Sequence, residues 1–167
     1  MLPGLMQNRP LNIIDILRFA ATAHGGQALV SKNVDEPLFR YDYAAAWRRV
    51  AQAAHALGRL GLRAGDRASS LSWNTHRHFE LFYAVPGMGA VLHTANPRLP
   101  DEHLVYTINH AGSTILLVDR NLVPIVERIR NQLPLVRHVV QLSDADRTLA
   151  GWQSYETLLA AEANRHD

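Results

Sequence analysis

The chain has 167 residues, 47% hydrophobic and 19% charged, the balance of one folded domain that buries about 70% of the surface its unfolded chain exposes. Its basic side chains, Lys32 being the only lysine, outnumber the acids by a formal net charge of only +2. They are scattered among the acids, which argues against a nucleic-acid-binding face. The absence of cysteine excludes disulfides, thiol nucleophiles and cysteine metal sites.

After a loose opening over residues 1–11, residues 12–24 place Ile13, Ile14, Leu17 and Ala21 at helical spacing, and Gly25-Gly26 ends the run. This stretch carries Asp15 and Arg18, so it reads as an amphipathic helix and not a signal peptide. ALVSK (28–32) and LFRY (38–41) flank a turn with Asn33, Asp35 and Pro37, the pattern of a hairpin. From Asp42 as N-cap, Tyr43, Trp47, Val50, Ala54 and Leu57 step by four, three, four and three. That leaves Arg48, Arg49, Gln52, His55 and Arg59 on the outside of a helix ended by Gly61.

Beyond it, strands and helices alternate. RASSLSW (67–73), AVLHT (90–94), TILLVD (114–119) and RHVVQL (137–142) read as strands. THRHFELFYAVPGM, DEHLVYTINHA, LVPIVERIRNQL and WQSYETLLAAEA read as helices. The alternation predicts an α/β fold with a mostly parallel sheet, right-handed crossovers and helices on both faces. No apolar run approaches the roughly 20 residues that span a bilayer, so the expectation is a cytoplasmic protein without a transmembrane segment.

Four constellations invite chemistry. His76 and His78 would lie in the first turn of their helix, roughly 200° apart around it. They point away from each other, so the expectation is a solvated helix start without metal. Gly87-Met88-Gly89 begins a G-x-G-x-x-G pattern, but Leu92 stands where the third glycine belongs. It also follows a helix and precedes a strand, the reverse of a phosphate-binding turn, and reads as a helix terminator. Asp119, at the C-terminal edge of a strand, resembles a phosphoacceptor of the receiver type, but the accompanying acidic cluster and late lysine are absent. It reads as a helix cap or loop acid. Ser69, Ser70 or Ser72 with His93 and Asp119 could make a hydrolase set on paper, yet no G-x-S-x-G elbow presents a serine. A Walker A loop is equally absent.

Taken together, "YDYAAAW" opening a helix, "LGLRAGDRA" turning into a strand, the helix after "SWN", and "GAVLHTANPRL" running from strand to loop resemble the N-terminal part of AMP-forming acyl-CoA synthetases, the adenylate-forming superfamily. Within that superfamily the stretch from Asn74 to Leu99 looks most like the medium- and long-chain fatty acyl-CoA ligases of bacteria. The resemblance covers residues 11 to 163 and implies that 12–163 form the first N-terminal subdomain, ending before the phosphate loop. It implies a parent reaction in which a fatty acid and ATP, with Mg²⁺, give an acyl-adenylate whose acyl group passes to CoA. The family's nucleotide loop and catalytic lysine lie later in the chain, and Lys32 matches neither lysine. The expectation is a scaffold inactive alone, completed by the missing C-terminal part or self-associating through surfaces that part would cover. Within it, His93 and Asn96 would border the active-site cleft. Where relatives carry Ser or Thr, Leu99 precedes Pro100-Asp101-Glu102, so a side-chain cap is missing and Pro100 is expected at the first helical position. The alternative of another class is a self-standing, non-catalytic α/β binding module.

Overall fold

The computed structural model describes residues 11–34 and 36–162. The expected loose segment thus lies outside the described residues except for Leu11. Helix α1 (Ile14–Ala23) is followed by strands β1 (Ala28–Lys32) and β2 (Leu38–Asp42), which form a separate antiparallel hairpin. Helix α2 (Tyr43–Arg59) starts where Asp42 accepts a hydrogen bond from the Ala45 N–H at 2.7 Å. It stops where Gly61, at φ +94°, lets the Leu62 N–H return to the Leu57 carbonyl.

Next come β3 (Arg67–Leu71), α3 (His76–Gly87), β4 (Val91–Ala95), α4 (Asp101–Ala111), β5 (Ile115–Asp119), α5 (Val123–Ile129), β6 (His138–Leu142), β7 (Gln153–Ser154) and α6 (Tyr155–Ala160). Strands β3 to β7 form one parallel sheet in the order β4-β3-β5-β6-β7. Alternate residues send Ala68, Ile115, Leu117, Val140 and Leu142 toward α1, α2, α3 and α6, and Leu71, Leu116 and Val118 toward α4 and α5. The sheet is therefore covered on both faces, as the alternation of elements predicts.

Strand ends shift by one or two residues from the sequence reading, and three helix boundaries differ for identifiable reasons. The last helix begins at Tyr155 and not at Trp152, because Ser154 is its N-cap, accepting from the Thr157 N–H at 3.2 Å, while Gln153 and Ser154 pair with β6. The helix read over 122–133 is α only for Val123–Ile129 and is flanked by two short 3₁₀ turns. Pro100 is the N-cap of α4, and Asp101 takes the first helical position. Among the described residues, no helix is long and apolar enough to cross a membrane.

Candidate functional site

The chain leaves β3 toward β4 on one side, then returns to place β5 on the other. The topological switch point therefore lies at the C-terminal ends of β3 and β5, where open α/β sheets bind ligands. Here that crevice is bridged. The Ser72 hydroxyl at 3.0 Å and the Trp73 N–H at 2.7 Å both donate to one oxygen of Asp119. Burial pushes the Asp119 carboxyl up to about 6 despite these donors. Asp119 does occupy the cap position of the following 3₁₀ turn but makes no side-chain bond to it; its carboxyl instead ties the chain after β3 to the end of β5. What remains open, between Asn33, Glu36, Arg77, Asp119 and Asn121, is a pit of only about 10 Å³, too small to hold more than a water.

The pit is closed by an ionic network whose hub is Arg77 on α3, with 3% of its surface exposed. Its Nε donates to Glu156 at 2.8 Å, Nη1 to Glu36 at 3.0 Å and Nη2 to Asp144 at 2.6 Å. Arg49 on α2 forks in parallel: Nε meets Glu80 at 2.7 Å and Nη2 meets Glu156 at 2.9 Å. Glu80 is wholly buried and also accepts from the Tyr155 hydroxyl at 2.8 Å. Burial opposes the charge on both arginines, but the facing carboxylates prevail and hold both above the ordinary value. Burial alone would raise Glu156, yet His76, Arg49 and Arg77 together hold it well below the carboxylate range. Expected on the outer face of its helix, Arg49 is instead drawn inward by Glu80 and Glu156.

His76 and His78 are also buried, against the expectation of a solvated helix start. His76 stacks on Phe39 with ring centroids 3.8 Å apart and donates from Nδ1 to Asn33 at 3.1 Å. His78 Nε2 meets the Ser70 hydroxyl at 3.0 Å, and burial lowers the pKa of its ring. The two rings thus take separate partners because the hairpin packs over one and the sheet over the other. Gly87 ends α3, and Gly89, at φ +76°, sits in the turn into β4.

His93 lies mid-strand on β4, with Nδ1 2.7 Å from the Ser69 oxygen, while Ser69 donates to Ser113 at 2.8 Å. Burial lowers its pKa too. Ser69 is wholly buried and its proton is committed to Ser113. Asp119 is bound elsewhere, so serine, histidine and acid do not converge as a hydrolase triad. Asn96 follows β4 and accepts the Arg98 N–H at 3.0 Å in a local turn. The larger opening is a groove of about 460 Å³ between β1 and the start of α3, lined by Leu29 to Lys32, Tyr41, His76, His78, Phe79 and Phe82.

These groups do not fit a nucleotide triphosphate. Arg77 is saturated by carboxylates, and Lys32 donates to the Glu36 carbonyl at 2.8 Å. The pit's lining sets the acids Glu36 and Asp119 against Arg77 and Arg120, and its volume of about 10 Å³ leaves no room for a phosphate chain. Sequence reading missed the network because its signal, polar residues scattered over helices and loops, is indistinguishable from a solvated face until the partners are known.

A family model described as "AMP-binding enzyme" matches residues 18–166. The chain belongs to this family. Among AMP-binding enzymes it is similar to the long-chain-fatty-acid–CoA ligase of Thermus thermophilus, 41% identical over 162 residues, covering 97% of this chain and 30% of that protein. The medium-chain-fatty-acid–CoA ligase of Ectopseudomonas oleovorans is 37% identical over 160 residues, covering 93% of this chain and 29% of that protein. The chain therefore spans about 30% of the length of these AMP-binding relatives. Among solved structures, an anthranilate CoA ligase in complex with anthranoyl-AMP superposes with a TM-score of 0.77 at 20% identity, over 93% of this chain and 29% of that one. A fatty acyl CoA synthetase of Mycobacterium tuberculosis gives 0.69 at 27% identity, over 81% and 28%. The fold matches part of the N-terminal domain of adenylate-forming enzymes, the chain covering 38% of one such isolated domain from Mycobacterium tuberculosis.

Proposed function

We propose that this chain is the N-terminal scaffold of an AMP-forming fatty acyl-CoA ligase, working in the cytoplasm and completed by the remaining polypeptide. The observation that carries the reading is the 41% identity maintained over 162 residues with a ligase of that class. In the complete enzyme a fatty acid, ATP, Mg²⁺ and CoA meet on residues supplied by the remainder. This chain contributes the packed sheet and a rigid C-terminal edge, and His93 and Asn96 border the cleft as positioning residues. Supporting this division, the polar groups at the sheet's C-terminal edge are engaged with one another, as Arg77 and Asp119 show.

The test is ATP/pyrophosphate exchange dependent on fatty acid. The purified chain should give none, and exchange should appear when it is co-expressed with the remainder of the Thermus thermophilus ligase. Exchange by the chain alone, abolished in a Lys32→Ala variant, overturns the reading.

A further inference from the structure

The groove beside β1 has the form of a strand-addition site. β1 pairs with β2 alone among the described residues. The Tyr43 N–H donates to the Gln27 carbonyl at 3.3 Å, which fixes the phase of the antiparallel ladder. Leu29 and Ser31 exchange bonds with Tyr41 and Phe39, so the N–H and C=O of Val30 and Lys32 point away from β2. They point toward the side on which the groove runs, its wall made by four consecutive residues of β1 and its floor by His78, Phe79 and Phe82 of α3. The edge is held rigidly. The Ser31 hydroxyl accepts the His76 N–H at 2.9 Å, Asn33 accepts from the His76 ring, and Phe39 stacks on it. An unpaired edge over an apolar floor, held in register, is what an extended segment needs: backbone bonds to the edge and alternate side chains into the groove.

We propose that the occupant is an extended segment of the polypeptide that completes the ligase, adding a third strand to the hairpin at the free edge of β1. This rests on the ligase reading and goes beyond it by naming the surface. Three observations select this occupant. The AMP-binding relatives extend over more than three times the matched length, since the chain covers 30% of the Thermus thermophilus ligase. The hairpin's inner face is already packed on His76 through Phe39, so what this two-stranded unit still lacks is a partner for the edge of β1. An apolar side chain that lines the groove on the edge strand itself, Val30, is uncovered at 53% exposure.

The experiment pairs this chain with the remainder of the Thermus thermophilus ligase and reads binding by calorimetry and amide exchange by mass spectrometry. The Val30 and Lys32 amides are expected to exchange rapidly in the dilute chain and to slow at least about a hundredfold in the complex, the signature of new ladder bonds. Val30→Pro removes only the outward donor and leaves the bonds to β2 in place. It should weaken binding about tenfold or more, as should Phe82→Ser, whereas Tyr106→Ser on α4 should not. Failure of the native chain to bind the remainder sinks the ligase reading and this proposal with it. Tight binding without protection at Val30 and Lys32, or unchanged in Val30→Pro, overturns the docking surface alone. Protection that appears in the chain by itself at high concentration assigns the groove to a second copy and also overturns it. Should Val30→Pro fail to fold, the exchange of the native chain decides.

Discussion

Replacing Arg49 by leucine measures what the buried network contributes to the fold. The substitution keeps an apolar stem in place and removes the fork, so Glu80, which has no exposed surface, loses donors at 2.7 and 3.2 Å and keeps only the Tyr155 hydroxyl. Glu156 loses its two bonds to Arg49 but retains Arg77 at 2.8 Å, so the damage centres on Glu80. Breaking a buried pair by removing one partner costs about 3–5 kcal/mol, a large share of the roughly 5–15 kcal/mol that holds a domain together. With a urea dependence of about 2 kcal/mol per molar, the unfolding midpoint should fall by about 1.5–2.5 M. Adding Glu80→Gln removes the stranded charge while keeping an acceptor for Tyr155, and should restore about 2 kcal/mol. Urea titrations of the native chain, the two single variants and the double variant, followed by circular dichroism, complete the cycle. A cost below about 1 kcal/mol for Arg49→Leu, or a double variant no more stable than that single one, would refute the argument that the carboxylate depends on this arginine.

Further expectations follow from single groups. With its pKa raised to about 6, Asp119 stays protonated in the folded state over a range where the unfolded chain has released the proton. Its contribution to stability therefore falls as pH rises from about 4 to 6, by roughly 3 kcal/mol at most. Asp119→Asn should abolish that fall, and urea titrations of both proteins at pH 4, 5, 6 and 7 that run parallel would contradict the assignment. Gly112 closes α4 at φ +68°, where an added Cβ would stand 2.8 Å from an Arg67 nitrogen. Gly112→Ala should cost about 1–2 kcal/mol and lower Tm by about 3–6 °C. Gly26→Ala, where the space is open, serves as the control in the same calorimetric scan.

The sequence announces the elements whose causes are local. Asp42 caps α2 through an amide three residues away, and ILLVD is a run of five buried residues that only a central strand accommodates. Gly61 and Gly112 mark helix ends by a backbone conformation that other residues avoid. It is silent where the cause is distant. Arg49 meets carboxylates 31 and 107 positions along the chain, and no periodicity of α2 distinguishes it from Arg48, which stays exposed. THRH reads as a polar, wet helix start because pattern weighs each side chain by its own solvation. In the fold, each of those four residues finds a hydrogen-bond partner in another element or at the helix cap. The same blindness makes Asp119 look like a loop acid, since its donors sit 46 and 47 residues earlier.

Arg77 also sets a timetable for synthesis. Its partner Glu36 precedes it by 41 residues, but Asp144 and Glu156 follow by 67 and 79. At about 5–20 residues per second on the ribosome, roughly 4–16 seconds separate the making of this arginine from the making of its last carboxylate. Through that interval the nascent α3 carries a guanidinium and the Glu80 carboxylate destined for burial, with Tyr155 and Glu156 still untranslated. The face of α3 that receives α6 therefore stays wet until translation has passed Glu156, and synonymous codons that slow elongation before that point should prolong the chain's dependence on chaperones.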